Sequence, residues 1–334
     1  MFQKQFSSRT TAALCCLLLG SVLTISPFAD ARADPYPDKP IRLIIPYPPG
    51  GATDVIGRIV GKNLSEQIGG QVVIENRGGA GGNIGAAEVA KARPDGYTLL
   101  MGALTSHSVM SILEKGSLTY DLQKDLTPAG IVGSVPLVAV VNPSLKVSTL
   151  KELADNASKN PGKLNFASSG AGAPQRMAME LFKQIADVNI VHVAYRGSGP
   201  AMTDLVGGQV QVMTETVPAA ISFIKSGQLR PLAVLTPERI SMLPDIPTAK
   251  EQGYDNYNVS SLFGVMAPTG TPQEVLNKLN AALTEGLNKD DVKKQLLEQG
   301  VYAAPLTIDA SRDRLAAEIE LWEKVIKAGN ITTR

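Results

Sequence analysis

Short apolar runs alternate with amphipathic segments through most of this 334-residue chain. Runs rich in Val, Ile and Leu predict buried strands, and the segments between them have helical spacing. The predicted strands are residues 41–45, 71–75, 97–101, 137–141, 164–167, 190–193, 210–213, 229–235 and 262–266. The predicted helices are residues 54–67, 82–92, 149–160, 174–186, 199–206, 218–226, 271–285, 290–299 and 308–328. This alternation predicts an α/β fold of βαβ units, with mostly parallel sheets flanked by helices.

The number of strands also bears on domain organisation. Nine strands are many for one sheet, so we expect two sheets in two lobes. The chain is expected to cross between lobes near residues 134–136 and again near residues 255–260. Lobe one is then residues 34–133 plus 260–334, and lobe two is residues 134–259. Two crossing segments with a cleft between the lobes predict a hinged clamp for a ligand.

The first 33 residues have the pattern of a secretory signal peptide. Lys4 and Arg9 form a basic start, residues 11–25 are apolar, and residues 31–33 read Ala-Arg-Ala, a small-residue cleavage site. We expect cleavage after Ala33 and a location in the periplasm. A retained membrane anchor is the alternative, but the apolar stretch is shorter than the roughly 20 residues a spanning helix needs.

Composition excludes several classes of function. Hydrophobic residues make up 44% of the chain and charged residues 19%, as in a globular protein. Removal of residues 1–33 would leave 29 basic and 30 acidic residues, a net charge of −1 with no basic excess for nucleic acid or anionic membrane. Both cysteines, Cys15 and Cys16, lie in the predicted signal peptide, so the mature chain has no disulfide.

Five loops stand out among those that follow predicted strands: residues 49–54, 78–83, 105–108, 168–172 and 195–200. All except residues 78–83 share one chemical character. They offer glycine N–H groups, small hydroxyls and helix starts, which together stabilise an anion such as a carboxylate. The stretch Ile45–Asp54, "IPYPPGGATD", is the leading candidate, because its prolines fix the path of the turn and its glycines expose the backbone.

Other chemistry finds little support in the sequence. Glycines 79, 81 and 85 form G-x-G-x-x-x-G, one residue longer than a dinucleotide fingerprint, and we expect this loop to pack rather than to bind a cofactor. The two histidines, His107 and His192, are too few for a His/Cys metal site, and His192 lies inside an apolar strand. No G-x-S-x-G elbow occurs. A secreted serine hydrolase using Ser106 and His107 remains the alternative.

Four stretches in order resemble the solute-binding receptors of tripartite tricarboxylate transporters, the Bug family. They are "YPDKPIRLIIPYPPGGATD", "VVIENRGGAGGNIGAAEVAKARPDGYTLL", "YRGSGPAMTDLVGGQVQVM" and "LPDIPTAKEQGY". The resemblance implies a two-lobed Venus-flytrap fold and periplasmic capture of a small organic anion without a cofactor. It also implies delivery to a permease with a large and a small membrane subunit. We expect a monomer.

The resemblance also implies which residues bind the ligand. They are Tyr47, Pro49, Gly50, Gly51, Thr53, Asp54, Ser106 and His107 in lobe one, and Ser168, Ser169, Gly170, Tyr195, Gly197, Glu215 and Thr216 in lobe two. We expect Asp54 to cap its helix, since it would repel a carboxylate. Glu215 has a structural alternative, an acid at the end of a strand.

One departure from the family concerns Arg176. The family often has a Ser-Ser-x-His-like stretch where this chain has Ala173-Pro174-Gln175-Arg176. A guanidinium there is a permanent charge that, with Arg196, would pair with a second carboxylate. This favours a dicarboxylate, tricarboxylate or aromatic acid as ligand, and we include Arg176 among the binding residues. The alternatives are an Arg176 that faces solvent and an amino acid or nicotinamide-like ligand.

Overall fold

The computed structural model describes residues 36–333. The predicted signal peptide and its cleavage site lie outside the described residues. The ten described strands are β1 (Ile41–Ile45), β2 (Val72–Asn76), β3 (Thr98–Ala103), β4 (Leu126–Val141), β5 (Asn165–Ser168), β6 (Val191–Ala194), β7 (Val212–Thr216), β8 (Arg230–Val234), β9 (Ser260–Pro268) and β10 (Tyr302–Ala303).

Ten α-helices connect or cover these strands within residues 36–333. They are α1 (Ala52–Ile68), α2 (Asn83–Ala90), α3 (Leu104–Leu113), α4 (Leu150–Lys159), α5 (Pro174–Ala186), α6 (Ser198–Val206), α7 (Val217–Lys225), α8 (Gln273–Asn288), α9 (Asp290–Glu298) and α10 (Ile308–Ala328). Short 3-10 turns occur at Ala80–Gly82 and Lys250–Gln252.

The strands form one mixed sheet in the order β2-β1-β3-β9-β4-β7-β5-β6, with β10 and β8 also paired to β4. Two sections can be distinguished along β4. Sheet section one contains β1, β2, β3, β9, β10 and residues 126–136 of β4. Sheet section two contains β5, β6, β7, β8 and residues 137–141 of β4.

Parallel pairing is confined to the βαβ parts of each section. Strands β1, β2 and β3 are parallel to one another, as are β5, β6 and β7 where they pair. Strand β4, which runs through both sections, and strand β9, which pairs with β3 and β4 in sheet section one, are antiparallel to their neighbours. The predicted α/β fold is therefore confirmed, with antiparallel strands added to each parallel set.

Strand β4 extends eleven residues further toward the N-terminus than the sequence predicts, since it begins at Leu126 instead of residue 137. The extra part contains two prolines and two glycines, which normally argue against a strand. The pairing with β9 shifts register between Pro128 and Gly130 and again between Ile131 and Gly133. These bulges accommodate residues that cannot continue a regular ladder.

The C-terminal helix α10 packs against both sheet sections. Leu315 and Ile319 share a core with Leu100 of β3, in sheet section one. One turn later, Trp322 lies in a core with Phe182 of α5, beside sheet section two. Trp322 is 1% exposed, as expected for its apolar helix face.

Candidate functional site

The proline-glycine loop after β1 is held in place by a buried carboxylate at the start of α1. Asp54 Oδ2 accepts hydrogen bonds from the Gly50 N–H (2.9 Å) and Arg58 Nε (3.0 Å). Its Oδ1 accepts from Asn76 Nδ2 (2.8 Å), which also donates to the Tyr47 carbonyl. The Arg58 guanidinium is the main reason that the pKa of Asp54 falls to about 2. Asp54 therefore shapes the loop, and the Gly50 amide is already used for this purpose.

Replacing Asp54 by Asn should lower the free energy of unfolding at neutral pH by about 1–2 kcal/mol, because the Arg58 pair is lost. The folded-state pKa lies below the ordinary value of 3.8, so this stabilisation is present above pH 4 and disappears as the pH falls toward 2. Urea unfolding of both proteins from pH 7 to pH 3 tests this. The control is Asp155→Asn, which removes an exposed carboxylate paired with Lys151 and should change the free energy of unfolding far less than Asp54→Asn does.

A difference in unfolding free energy between wild type and Asp54→Asn that stays constant down to pH 3 would contradict this role for Asp54.

Residues 105–108 form the first turns of α3, whereas the sequence predicts a loop. Ser106 lies at the wall of the cleft described below. His107 is buried, its ring centroid is 6.3 Å from that of Tyr47, and its ring nitrogens have no hydrogen-bond partner among residues 36–333. Burial lowers the pKa of His107 to about 4, so the ring is neutral near pH 7.

The glycine loop at residues 78–82 combines packing with a place at the cleft. A Cβ on Gly85 would lie 2.8 Å from the Arg77 carbonyl oxygen and 2.9 Å from Pro46 Cα, so this glycine permits close packing against the chain after β1. Ala80 and Gly81, in the 3-10 turn, line the cleft. The expected packing role therefore describes only part of the loop.

The strand ends of sheet section two supply the opposite wall. Ser169 and Gly170 follow β5 and line the cleft, while Ser168 Oγ is buried and lies 2.7 Å from His192 Nε2. His192 is half-buried, and burial is the main cause that lowers its pKa to about 4. This pairing agrees with a structural role for His192 in its strand.

Glu215 and Thr216 end β7 and also line the cleft. Tyr195 does not, because its hydroxyl donates to Asp204 Oδ2 (2.8 Å) on α6. Gly197 is the N-cap of α6, and the next residue, Ser198, lines the cleft in its place.

Arg176 is turned away from the cleft. Its Nη1 donates to the Thr332 carbonyl (2.8 Å) and more weakly to the Ala171 carbonyl (3.4 Å), and the residue is 6% exposed. Arg176 therefore ties the loop that follows β5 to the C-terminal segment. Arg196 is exposed and does not line the cleft. The structure thus gives neither guanidinium the position that pairing with a second ligand carboxylate requires.

Between these walls lies a cleft of about 830 Å³. Of the residues expected to bind ligand, Tyr47, Thr53, Ser106, Ser169, Gly170, Glu215 and Thr216 line it. Pro49, Gly50, Gly51, Asp54, His107, Ser168, Arg176, Tyr195 and Gly197 are not among its lining residues. Lining residues that the sequence did not single out include Met110, Glu114, Val135, Gln175, Ser261, Phe263, Glu298 and Gln299.

Helix N-termini dominate the chemistry of the cleft. The first turns of five helices reach it: Thr53 of α1, Ser106 of α3, Gln175 of α5, Ser198 of α6 and Pro218 of α7. Their free N–H groups and dipoles attract an anion. Among the described residues, no Lys, Arg or His lines the cleft, and the charged side chains there are glutamates. An anionic ligand would therefore be held by backbone and hydroxyl donors.

Two further observations concern metals and membranes. Residues 36–333 contain no group of three or more His, Cys, Asp and Glu side chains placed to hold a metal ion. Over the same residues, no helix has both the length and the apolar composition that a bilayer span requires.

The comparisons with known proteins agree on one family. The family model described as "Tripartite tricarboxylate transporter family receptor" matches residues 56–331. Protein BugT of Bordetella pertussis is 39% identical over 299 residues, which cover 90% of this chain and 92% of BugT.

Solved structures give the same result. An R. palustris protein solved with adipate is 34% identical, with a TM-score of 0.75, and the match covers 89% of this chain and 99% of that one. The protein MatC from Rhodopseudomonas palustris, solved with bound malate, is 30% identical, with a TM-score of 0.72 and coverage of 87% and 100%. The resemblance is thereby confirmed: the chain belongs to the receptor family of the tripartite tricarboxylate transporters, which are two-lobed periplasmic solute-binding proteins and not enzymes.

Proposed function

We propose that this protein captures a small organic carboxylate in the cleft by hinge closure and delivers it to a tripartite tricarboxylate-type permease with a large and a small membrane subunit. The observation that carries this proposal is the convergence of five helix N-termini on one cleft. A carboxylate there accepts hydrogen bonds from N–H groups at the positive ends of helices. Relatives solved with adipate and malate support the same class of ligand.

The proposed hinge lies where the chain passes between the sheet sections. We propose that lobe one is residues 34–133 plus 260–334 and lobe two residues 134–259, so that the crossings lie within β4 near Ser134 and at the start of β9 near Ser260. Ligand that binds both walls favours the closed arrangement by its greater affinity for it. The signal peptide pattern of residues 1–33 supports export to the periplasm, with cleavage after Ala33. We further propose that the receptor acts as a monomer.

Two ligand classes follow from different observations. A dicarboxylate, tricarboxylate or aromatic acid is favoured by the relatives, since adipate and malate each have two carboxylates. An amino acid or amide such as nicotinamide is favoured by the cleft itself, since its charged side chains are acids. In both classes a carboxylate or carbonyl group binds at the helix N-termini. The classes differ in the other polar group of the ligand, which is a second carboxylate in dicarboxylates and an N–H group in amino acids and amides.

A thermal-shift screen of the purified mature protein tests this function. The panel contains mono-, di- and tricarboxylates, amino acids, aromatic acids and nicotinamide, with the methyl ester of each acid as its matched control. At a concentration of 100 times Kd, a ligand should stabilise the fold by about 2.7 kcal/mol, or roughly 4 °C in Tm for a chain of this length. The matching esters should give a much smaller shift, because an ester is a weaker acceptor than a carboxylate.

Two outcomes would contradict the proposal. No shift with any acid would argue against carboxylate capture, and equal shifts with acids and esters would argue against recognition of the charge. Chromatography of the incubated esters should show no turnover, as expected for a receptor and not for a serine hydrolase that uses Ser106 and His107.

A further inference from the structure

Glu215 places a buried carboxylate oxygen without a partner at the wall of the cleft. The residue is 0% exposed and lines the cleft at the end of β7. Its Oε1 accepts three hydrogen bonds, from Gln175 Nε2 (2.8 Å), the Thr216 N–H (2.7 Å) and the Thr216 hydroxyl (3.1 Å). Its Oε2 has no hydrogen-bond partner among residues 36–333.

Such an oxygen has a physical cost that a ligand can remove. A buried polar atom without a partner costs free energy, and the cost is larger for a charged group. No donor among residues 36–333 bonds to Oε2, and Glu215 lines the cleft, so a donor on a ligand in the cleft would supply the missing hydrogen bond. A second carboxylate of a ligand has no hydrogen to donate and would also be repelled by Glu215.

The other glutamates at the cleft differ from Glu215. Glu114 Oε2 accepts a hydrogen bond from Asn83 Nδ2 (3.0 Å). Glu298 is exposed, where water hydrates it. Of the three glutamates that line the cleft, Glu215 is therefore the one with a buried carboxylate oxygen that lacks a hydrogen-bond donor.

The opposite wall has the complementary group. Tyr47 lines the cleft beside the first turn of α1, and its buried Oη lies near the Ser106 side chain but makes no hydrogen bond of good geometry with residues 36–333. Burial raises the pKa of Tyr47 to about 12, so the phenol keeps its proton and can donate. With the N–H groups of α1, this wall suits the carboxylate of the ligand.

We infer that Glu215 is a specificity-determining residue that selects, among small carboxylates, those that also carry an N–H or O–H donor. The inference rests on the proposed function and specifies its ligand class as hydroxy, amino or amide acids. The carboxylate faces Tyr47 and α1, and the donor binds Glu215 Oε2. A plain dicarboxylate of the same length binds more weakly, because its second charge faces the glutamate.

Calorimetric titration of the wild-type protein with matched acids tests this inference. The probes are straight-chain acids of four to six carbons with a hydroxyl, ammonium or amide group at the second carbon or at the far end. The unsubstituted acid and the dicarboxylate of equal length are the references. A charge-assisted hydrogen bond predicts that at least one donor-bearing acid binds about tenfold more tightly than both references.

The variant Glu215→Gln should reverse the preference. In this variant the side-chain amide oxygen can accept the three hydrogen bonds that Oε1 accepts in the wild type. The amide NH₂ group, which is a donor, then takes the position of Oε2. Donor-bearing acids should then lose about tenfold in affinity relative to the dicarboxylate of equal length. Glu320→Gln is the matched control, since it removes the same charge from an exposed position that does not line the cleft and should change that ratio by less than about twofold.

The outcomes separate the inference from the function. If a dicarboxylate or the unsubstituted acid binds most tightly to the wild type, or a folded Glu215→Gln keeps the wild-type ratio, the inference is overturned while carboxylate capture stands. If none of the acids binds, the proposed function fails and the inference with it. Thermal unfolding shows whether the Glu215→Gln variant is folded. If it is not folded, the relative affinities of the acids for the wild-type protein decide the test.

Discussion

The substitution Glu318→Ala is expected to lower the free energy of unfolding by about 3 kcal/mol and to weaken ligand binding as well. Glu318 is 2% exposed on α10, and its Oε1 accepts hydrogen bonds from Thr105 Oγ1 (2.7 Å) and Trp322 Nε1 (2.8 Å). Its Oε2 accepts from Arg314 (2.6 Å). Removing the carboxylate leaves the Thr105 and Trp322 donors buried without this acceptor.

The effect should reach the cleft through Thr105. The Thr105 hydroxyl accepts a hydrogen bond from the Leu262 N–H (3.0 Å), so it joins the start of α3 to β9. Ser106, which follows Thr105, and Ser261, which precedes Leu262, both line the cleft. Loss of the Glu318 acceptor should therefore loosen the start of α3 and the adjoining part of β9, both of which line the cleft. We expect ligand affinity to fall several-fold.

Urea unfolding and ligand titration measure the two effects. Glu320→Ala is the control on the same helix, because Glu320 is exposed and pairs with Lys324 across one turn. It should lower stability far less than Glu318→Ala does and leave affinity unchanged. Equal stability losses in the two variants would show that the buried contacts of Glu318 contribute no more than a surface ion pair.

Glu318 also illustrates what a sequence can and cannot reveal. The apolar spacing of α10 predicts its buried face and the burial of Trp322, since periodicity reports which side of a helix meets the core. An acid on that face is identified as buried only when a donor such as Thr105 is known to lie opposite. That donor is 213 residues away along the chain, so sequence spacing cannot indicate it.

Tertiary packing also explains why some predicted helices and strands differ from the observed ones. Three of residues 105–108 are Thr or Ser, which favours a loop. Leu104, Val109 and Met110 are buried, however, and their tertiary packing stabilises helix α3. The part of β4 before residue 137 was not predicted, because prolines and glycines interrupt its apolar pattern. In the structure, bulges in the pairing with β9 accommodate these residues. Strands with continuous apolar runs, such as β1, were predicted with their observed bounds.

For the cleft, backbone chemistry was predictable and side-chain direction was not. Loops of glycine, proline and small hydroxyls mark strand ends in any α/β fold, and Thr53, Ser106 and Ser169 were found in this way. Arg176 lies beside such a loop in sequence, but its long side chain reaches the C-terminal segment. Apolar lining residues such as Phe263 sit in strands and have no sequence feature that distinguishes them from core.

A glycine at the edge of the cleft leads to the second large expected effect. Gly300 follows α9 with φ +75°, and a Cβ there would lie 2.0 Å from Pro218 Cγ. Pro218 begins α7 beside sheet section two, whereas the chain after Gly300 enters β10 in sheet section one. The contact therefore joins the two sections next to lining residues Pro218 and Gln299.

The substitution Gly300→Ala should weaken ligand binding by about 10- to 100-fold, since forcing a methyl group into a packed contact costs about 1–3 kcal/mol. A proline ring cannot rotate away, so the two walls have to separate at this edge. Under the hinge closure proposed above, the protein without ligand would relieve the clash by opening, whereas the closed complex would not. Affinity should therefore fall more than stability, in titration and thermal unfolding of the same sample.

Gly227→Ala separates this clash from backbone strain. Gly227 has φ +73°, nearly the value at Gly300, but no atom lies within 4 Å of its Cβ position. Its alanine variant bears the left-handed backbone cost of about 1 kcal/mol and should keep affinity within about twofold. If both variants bind ligand equally well, closure does not need the Gly300–Pro218 contact. If Gly300→Ala instead loses stability and affinity together, the contact belongs to the rigid fold and not to the moving edge of the cleft.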